Sequence, residues 1–187
     1  MKIFLIRHGE TDWNIQQRYQ GQADIRLNAR GREHARVIAG YLTDKNIEAV
    51  YSSDLVRARE TAEIISPVIN REVRLDSRLR EMDFGRWEGK TFNEIYLHDR
   101  EQFNNWFNHT VDYIIPGGES FGNLVDRAGK AIKDICGRHE ENIAVVTHGG
   151  VIKAILYHWQ IIDAKELWGG GTNPGSIAIL DVDNKEY

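Results

Sequence analysis

A chain of 187 residues with 41% hydrophobic and 28% charged residues is long enough to bury one sizeable core and too evenly mixed for disorder, so a single domain over residues 1–187 is expected. The net charge of -4 argues against a nucleic-acid partner, and a lone cysteine, Cys136, excludes an internal disulfide and suits a reducing compartment, with the cytoplasm as the expectation. Met1 leads straight into strand-like residues 2–7, too short and too soon charged for a signal peptide or a membrane span, so no membrane partner is expected.

In chain order, Ile3-Phe4-Leu5-Ile6 is a short apolar run without alternation, the pattern of a strand covered on both faces. Asn28 is placed to cap a helix through about Leu42, with Ala35, Ile38, Tyr41 and Leu42 on one face. Ala49-Val50-Tyr51 reads as a second strand. The helix after it is expected to take Ser53 or Asp54 as its cap, to reach Ile65, and to stop at Pro67. Residues 75–90 and the Pro116-Gly117-Gly118 turn read as irregular. Helical periodicity returns at residues 92–107 and 121–136, then at 151–159 after the strand-like Ile143-Ala144-Val145-Val146. Residues 176–182 alternate in polarity near the end and read as a last strand at a sheet edge. Strands alternating with helices imply an α/β fold, three-layer α/β/α with a mainly parallel sheet.

Two segments carry the chemistry. Leu5-Ile6-Arg7-His8-Gly9-Glu10-Thr11 and Val146-Thr147-His148-Gly149-Gly150 each place a histidine directly after a buried strand. An open α/β sheet gathers its ligands beyond the carboxyl ends of its strands, so His8 and His148 can meet there. Arg7 beside His8 and Arg57 early in the helix after the second strand point to an anion, because guanidinium groups match phosphate oxygens and repel a divalent cation. No metal and no cofactor is called for. The expected partner is a small phosphorylated metabolite.

A neutral imidazole can attack phosphorus without first losing a proton, and His8 is the choice for that nucleophile. Arg7, Arg57 and His148 would hold the non-bridging oxygens. Glu81, in the irregular Leu79-Arg80-Glu81-Met82-Asp83-Phe84-Gly85 stretch, is the candidate to protonate the leaving oxygen and then to activate water. Glu10, Asp83 and Glu88 stay open as rival carboxylates. Arg57 has a surface alternative, pairing with Glu60 or Asp54. Trp87, Trp106, Trp159 and Trp168 read as packing residues, with Trp87 and Phe84 also able to line a leaving-group pocket, and Trp13 to shape its mouth. Cys136 reads as a helix-core residue. A metal-dependent phosphohydrolase, a catalytically inactive phosphate-binding module and a mutase are the competing functions. The sequence does not specify an oligomeric state, and a homodimer is open.

The residues resemble the histidine phosphatase superfamily, also called phosphoglycerate-mutase-like. The resemblance runs through Arg7-His8-Gly9-Glu10-Thr11 with Asn14 and Gln20-Gly21, Leu27-Asn28-Ala29-Arg30-Gly31, residues 52–62, Leu79-Arg80-Glu81 and Thr147-His148-Gly149-Gly150. It implies that His8 is the phosphorylated nucleophile, that Arg7, Arg57 and His148 grip the phosphoryl group, and that Glu81 is the proton donor and acceptor. It carries over Asn14, Gln20, Gly21 and Gly149 as phosphate or substrate contacts, and it implies no metal. Within the superfamily, residues 81–90 followed by Pro116-Gly117-Gly118-Glu119-Ser120 look like the small bacterial phosphatase branch and most like α-ribazole phosphatases of cobalamin synthesis; broad-specificity phosphatases of small metabolites share much of the pattern. Gly169-Gly170-Gly171 departs from the ribazole branch. The compact loops leave little room for the insertions that keep water from the phosphohistidine in true mutases.

Overall fold

In the computed structural model, which describes residues 1–167 and 172–182, the amino-terminal apolar run forms β1 (Lys2–Arg7), flanked on one side by β4 (Asn142–Thr147) and on the other by β5 (Ile177–Asp181). Beyond β4 lie β2 (Ile47–Ser52) and then the short β3 (Val73–Leu75), giving the order β3-β2-β4-β1-β5. All pairings are parallel except that of β5, which runs antiparallel to β1 at the edge. Toward the end of β5, Leu180 is buried between exposed Ile179 and Asp181, so at this margin of the sheet one face is open, the arrangement that goes with alternation.

Successive side chains of a strand point to opposite faces, and here both faces are covered. Ile3, Leu5, Tyr51, Ile143 and Val145 pack against α6 (Phe121–Cys136) and α7 (Gly149–His158). Phe4, Ile6, Val50, Ala144 and Val146 join the cluster that includes α2 (Ala29–Leu42) and α3 (Val56–Ile65). The result is the expected three-layer α/β/α arrangement. Asn28 caps α2, its side chain accepting from the Gly31 amide at 2.8 Å, as the sequence suggests. Tyr41, expected on the buried face of that helix, is 45% exposed instead.

Four further expectations are corrected. Neither Ser53 nor Asp54 caps α3: Leu55 occupies the cap position without a side-chain bond, and the free Val56 amide donates to Asp24 at 2.7 Å. Residues 92–107 form two helices, α4 (Phe92–His98) and α5 (Arg100–Asn108), broken at Asp99. The carboxylate of Asp99 is held by Arg86 and by the Trp87 indole N–H, a tertiary anchor that no periodicity encodes. Residues 75–90 contain the end of β3 and 3-10 turns at Ser77–Leu79 and Gly85–Trp87, and α7 begins at Gly149, earlier than expected. Among the described residues no helix is long and apolar enough to cross a membrane. The expectations for Trp168 and for Gly169-Gly170-Gly171 fall outside the described residues.

Candidate active site

The parallel register decides what meets at the carboxyl edge of the sheet. Arg7 pairs with Thr147 and Ser52 with Val146, so the next residues of β1, β4 and β2 are His8, His148 and Ser53, side by side. The two imidazole centroids lie 5.2 Å apart. Arg57, the second residue of α3, comes in from the helix that leaves β2 and places its Nε 3.2 Å from His8 Nε2. The short turn from Ser53 to Leu55 makes this reach possible.

Hydrogen bonds define the protonation of both rings. His8 Nδ1 donates to the Gly9 carbonyl at 2.7 Å, while Nε2 accepts from Arg57, so Nε2 carries the lone pair. Burial holds the His8 pKa well below the usual histidine value, and the positive charges of Arg57 and then Arg7 act in the same direction. His148 is also kept neutral, chiefly by burial and then by Arg57. Its Nε2 lies 2.9 Å from Ser53 Oγ, and that hydroxyl already accepts from Leu55. The set is satisfied when Ser53 donates to His148 Nε2, which leaves the proton on Nδ1. That nitrogen is buried and has no hydrogen-bond partner among the described residues, and the same holds for Arg7 Nε. Buried donors are normally paired, so two unpaired donors at one sheet edge are the mark of a site built for an anion.

Arg57 is fully buried, and burial lowers its pKa to about 10, which still leaves it charged at neutral pH. Its terminal nitrogens donate to the carbonyls of Ala23 at 2.8 Å and Gly21 at 2.6 Å. The surface alternatives for Arg57 do not occur: Asp54 is engaged by Arg80 and Glu60 by Arg26. Gly21 adopts a positive φ of 51°, and a Cβ there would land on the Glu88 carboxylate; glycine tolerates both constraints.

Above this buried floor opens a cavity of about 210 Å³ lined by Arg7, Glu81, Met82, Phe84, Phe121, Gly149, Gly150, Lys153, Leu167 and Thr172. Arg7 is steadied there by its Nη1, which donates to the Thr172 carbonyl. Glu81 projects into the cavity with one carboxylate oxygen accepting from the Met82 amide at 2.9 Å and the other from the Gly150 amide at 3.2 Å. The rival carboxylates are committed elsewhere. Glu10 accepts from Asn28, Asp83 from the Gly85 amide, and Glu88 from the Gln22 and Phe84 amides. Burial raises the Glu88 pKa, but Glu88 does not line the cavity.

The sequence-derived residues therefore divide into two layers. His8, Arg57, His148 and the Gly21 carbonyl form the floor, whereas Arg7, Glu81 and Gly149 line the opening. Asn14 is engaged in a capping box with Thr11 at the start of α1 (Asp12–Ile15). Gln20 is buried with its Oε1 unpartnered among the described residues. Of the two aromatic residues left open between core and pocket, Phe84 lines the cavity. Trp87 does not; it is fully buried in the core against Phe103 and Trp106. Trp13 packs toward Gly89. Cys136 is a buried thiol pushed up to about 11. Among the described residues, no three His, Cys, Asp or Glu side chains converge to hold a metal.

Sequence reasoning does not single out Asp24, Arg127, Gly150 or Lys153. A signal for two of them exists. Arg127 stands three residues after Leu124 and four before Ala131 on the buried stripe of α6, and Lys153 interrupts the apolar run of α7. A charged residue in such a place requires a partner or a ligand.

Comparison with known proteins gives a consistent result. The model of the histidine phosphatase superfamily (branch 1) matches residues 3–187. Phosphoglycerate mutase-like protein 4 of Arabidopsis thaliana is 41% identical over 158 residues, 82% of this chain and 69% of that protein. Phosphoserine phosphatase 1 of Hydrogenobacter thermophilus is 29% identical over 99% of this chain and 88% of its own length. The crystal structure of the α-ribazole phosphatase from Shigella flexneri superposes with a TM-score of 0.87 at 30% identity, covering 98% of this chain and 92% of that one.

Proposed function

Because the chain belongs to branch 1 of the histidine phosphatase superfamily and is a phosphoric monoester hydrolase, we propose that it works without a metal through a phosphohistidine on His8, and that α-ribazole 5'-phosphate is its substrate. The observation that carries the catalytic part is the tautomer of His8, a neutral ring with the Nε2 lone pair held by Arg57 Nε at 3.2 Å.

In the first step His8 Nε2 attacks phosphorus, the bond from phosphorus to the ester oxygen breaks, and Glu81 gives its proton to the leaving oxygen. The Arg57 N–H that holds the lone pair in the free enzyme passes to a phosphoryl oxygen. Arg7 Nε and His148 Nδ1 supply further donors from fixed positions, so charge spread over the non-bridging oxygens meets dipoles that need no rearrangement. In the second step the Glu81 carboxylate takes a proton from water, the hydroxyl attacks phosphorus, and the N–P bond breaks. The products are an alcohol and inorganic phosphate, and His8 and Glu81 return to their initial states.

The substrate assignment draws on the sequence pattern after Glu81, on the 30% identity to the Shigella flexneri enzyme and on the apolar part of the cavity, where Met82, Phe84, Phe121 and Leu167 suit a leaving group with an apolar ring. A second reading has its own observation. Lys153 lines the same cavity and burial lowers its pKa, so a carboxylate on the leaving group, as in phosphoserine or a phosphoglycerate, would find a cation there.

Phosphate release from α-ribazole 5'-phosphate, phosphoserine, phosphoglycerates and sugar phosphates, measured with and without chelator and vanadate, tests the proposal. Turnover of the ribazole ester that survives chelator and is blocked by vanadate is expected. Activity that disappears in chelator and returns with zinc or manganese contradicts the mechanism. Preference for phosphoserine or phosphoglycerate transfers the substrate assignment to the second reading.

A further inference from the structure

An acid that must protonate one particular oxygen needs its carboxylate held to within a fraction of an ångström, yet Glu81 stands in a stretch without regular hydrogen bonding from Arg80 to Phe84. The stretch is restrained from below. Arg127, on α6, donates Nη1 to the carbonyls of Arg78 at 2.8 Å and Arg80 at 2.6 Å, and Nη2 to the carbonyl of Glu81 at 2.8 Å. The carbonyl between them, that of Leu79, accepts from Thr147 Oγ1 at 2.8 Å. Four consecutive carbonyls are thereby tied to side chains of α6 and β4, the strand that His148 directly follows.

The guanidinium that makes these bonds is itself fixed. Glu119, in the Pro116-Gly117-Gly118-Glu119-Ser120 turn, receives Arg127 Nη2 at 2.6 Å and Nε at 3.1 Å. The same carboxylate accepts from the Asp83 amide at 2.9 Å, and the Glu119 amide donates back to the Asp83 carbonyl at 3.0 Å. The two residues therefore hold the Glu81 segment on both sides of Glu81. A planar guanidinium paired with a carboxylate provides the rigidity for this, which an ammonium group on a flexible stem cannot reproduce.

We propose that Arg127, locked by Glu119, is the positioning residue for the proton transfer of Glu81. It touches neither substrate nor reacting atoms, and it reaches the chemistry chiefly through where Glu81 lies, its charge adding only a minor part to the depression of the His148 pKa. The inference rests on the reading of Glu81 as general acid, and it makes a claim that a purely structural role does not. An acid is needed to expel an alkoxide and is dispensable for a leaving group as weakly basic as nitrophenolate. Loss of positioning must therefore depend on the leaving group.

The experiment compares kcat/KM, which reports the steps through alcohol release, for glycerol 2-phosphate and p-nitrophenyl phosphate in wild type, Glu81→Gln, Arg127→Met, Arg127→Lys and Glu119→Gln. Glu81→Gln calibrates the comparison, since general acid catalysis contributes roughly 10²–10⁴-fold. For Arg127→Met the alkyl ester is expected to lose about ten- to a hundredfold more than the nitrophenyl ester, in line with what small displacements of a catalytic group cost. Arg127→Lys and Glu119→Gln are expected to show the same split at smaller size, and they carry the comparison if Arg127→Met fails to fold. Equal losses on both esters, or no loss on either, overturn the proposal when Glu81→Gln itself shows the split. Absence of the split in Glu81→Gln overturns the assignment of Glu81 instead.

Discussion

Arg57 Nε and His8 Nε2 stand 3.2 Å apart at the floor of the cavity, joining a buried cation to the lone pair of a neutral imidazole. Together with the bond from His8 Nδ1 to the Gly9 carbonyl, this contact fixes the tautomer and direction of His8, and it marks the place where a phosphoryl oxygen would replace the ring as acceptor. Arg57→Ala is expected to lower kcat/KM about 10²–10³-fold, the usual effect of losing one preorganised donor. It also leaves the Gly21 and Ala23 carbonyls without their guanidinium partner, so a lower denaturation midpoint should accompany the kinetic loss. Arg57→Lys, which cannot serve both carbonyls and the ring at once, should recover little of either. Activity within threefold of wild type in Arg57→Lys would show that the forked geometry is unimportant.

Burial, Arg57 and Arg7 depress the His8 pKa, and burial leads the same shift in His148. The kinetic consequence is that kcat/KM should not fall on the acid side near pH 6.5, where an ordinary histidine would become protonated. The stability consequence has the opposite direction. Below about pH 6.5 these histidines bind protons in the unfolded chain but not in the native one, so stability is fully present above that pH and declines as the pH drops toward the folded-state pKa values. Each ring can contribute up to about 1.4 kcal/mol per pH unit. Urea midpoints measured from pH 7.5 to pH 5 should fall, and less steeply in His148→Gln. An identical slope in that variant would mean that His148 is not buried as a neutral ring.

A Cβ on Gly150 would overlap the Glu81 carboxylate, which the Gly150 amide also binds at 3.2 Å. The obstacle is the tip of a side chain, and alanine is otherwise welcome in a helix. Gly150→Ala should therefore fold with an unchanged melting temperature while kcat/KM for alkyl phosphates drops at least tenfold. A loss of stability without a loss of activity would contradict the placement of Glu81.

Lys153 offers a decision between the two substrate readings. With Lys153→Met, which keeps much of the stem but not the charge, an enzyme selective for carboxylate-bearing phosphates should lose about tenfold or more in kcat/KM, mainly through KM. An enzyme for α-ribazole 5'-phosphate should change less than threefold on that substrate. Steady-state kinetics on phosphoserine and the ribazole ester in parallel distinguish the two.

The elements that position the site were legible where short-range chemistry governs them. Asn28 sits before a periodic segment and caps it, and two histidines each follow an apolar run, which is enough to bring them to one sheet edge. What was hidden depends on partners far along the chain. Ser53 looks like a helix cap but serves His148, Asp54 is taken by Arg80, and the cap function passes to Asp24, distant in sequence from Val56. The break at Asp99 has the same origin, as does the carbonyl grip of Arg127. Trp87 could equally have faced the cavity or the core, and its indole bond to Asp99 accompanies the inward placement. Periodicity reports which side of an element is buried, and it carries no information about which distant polar group will claim a given side chain.

The proposed reaction passes through a covalent bond between His8 Nε2 and phosphorus. Rapid quenching of the wild-type enzyme into alkaline denaturant during turnover, followed by peptide mapping with mass spectrometry, tests it without reference to the natural substrate, since p-nitrophenyl phosphate suffices to load the enzyme. An acid-labile, alkali-stable phosphoryl group is expected on the peptide containing His8, with none at His148 and none anywhere in His8→Asn. A phosphorylated residue other than His8, or a phosphoenzyme that persists in His8→Asn, would contradict it.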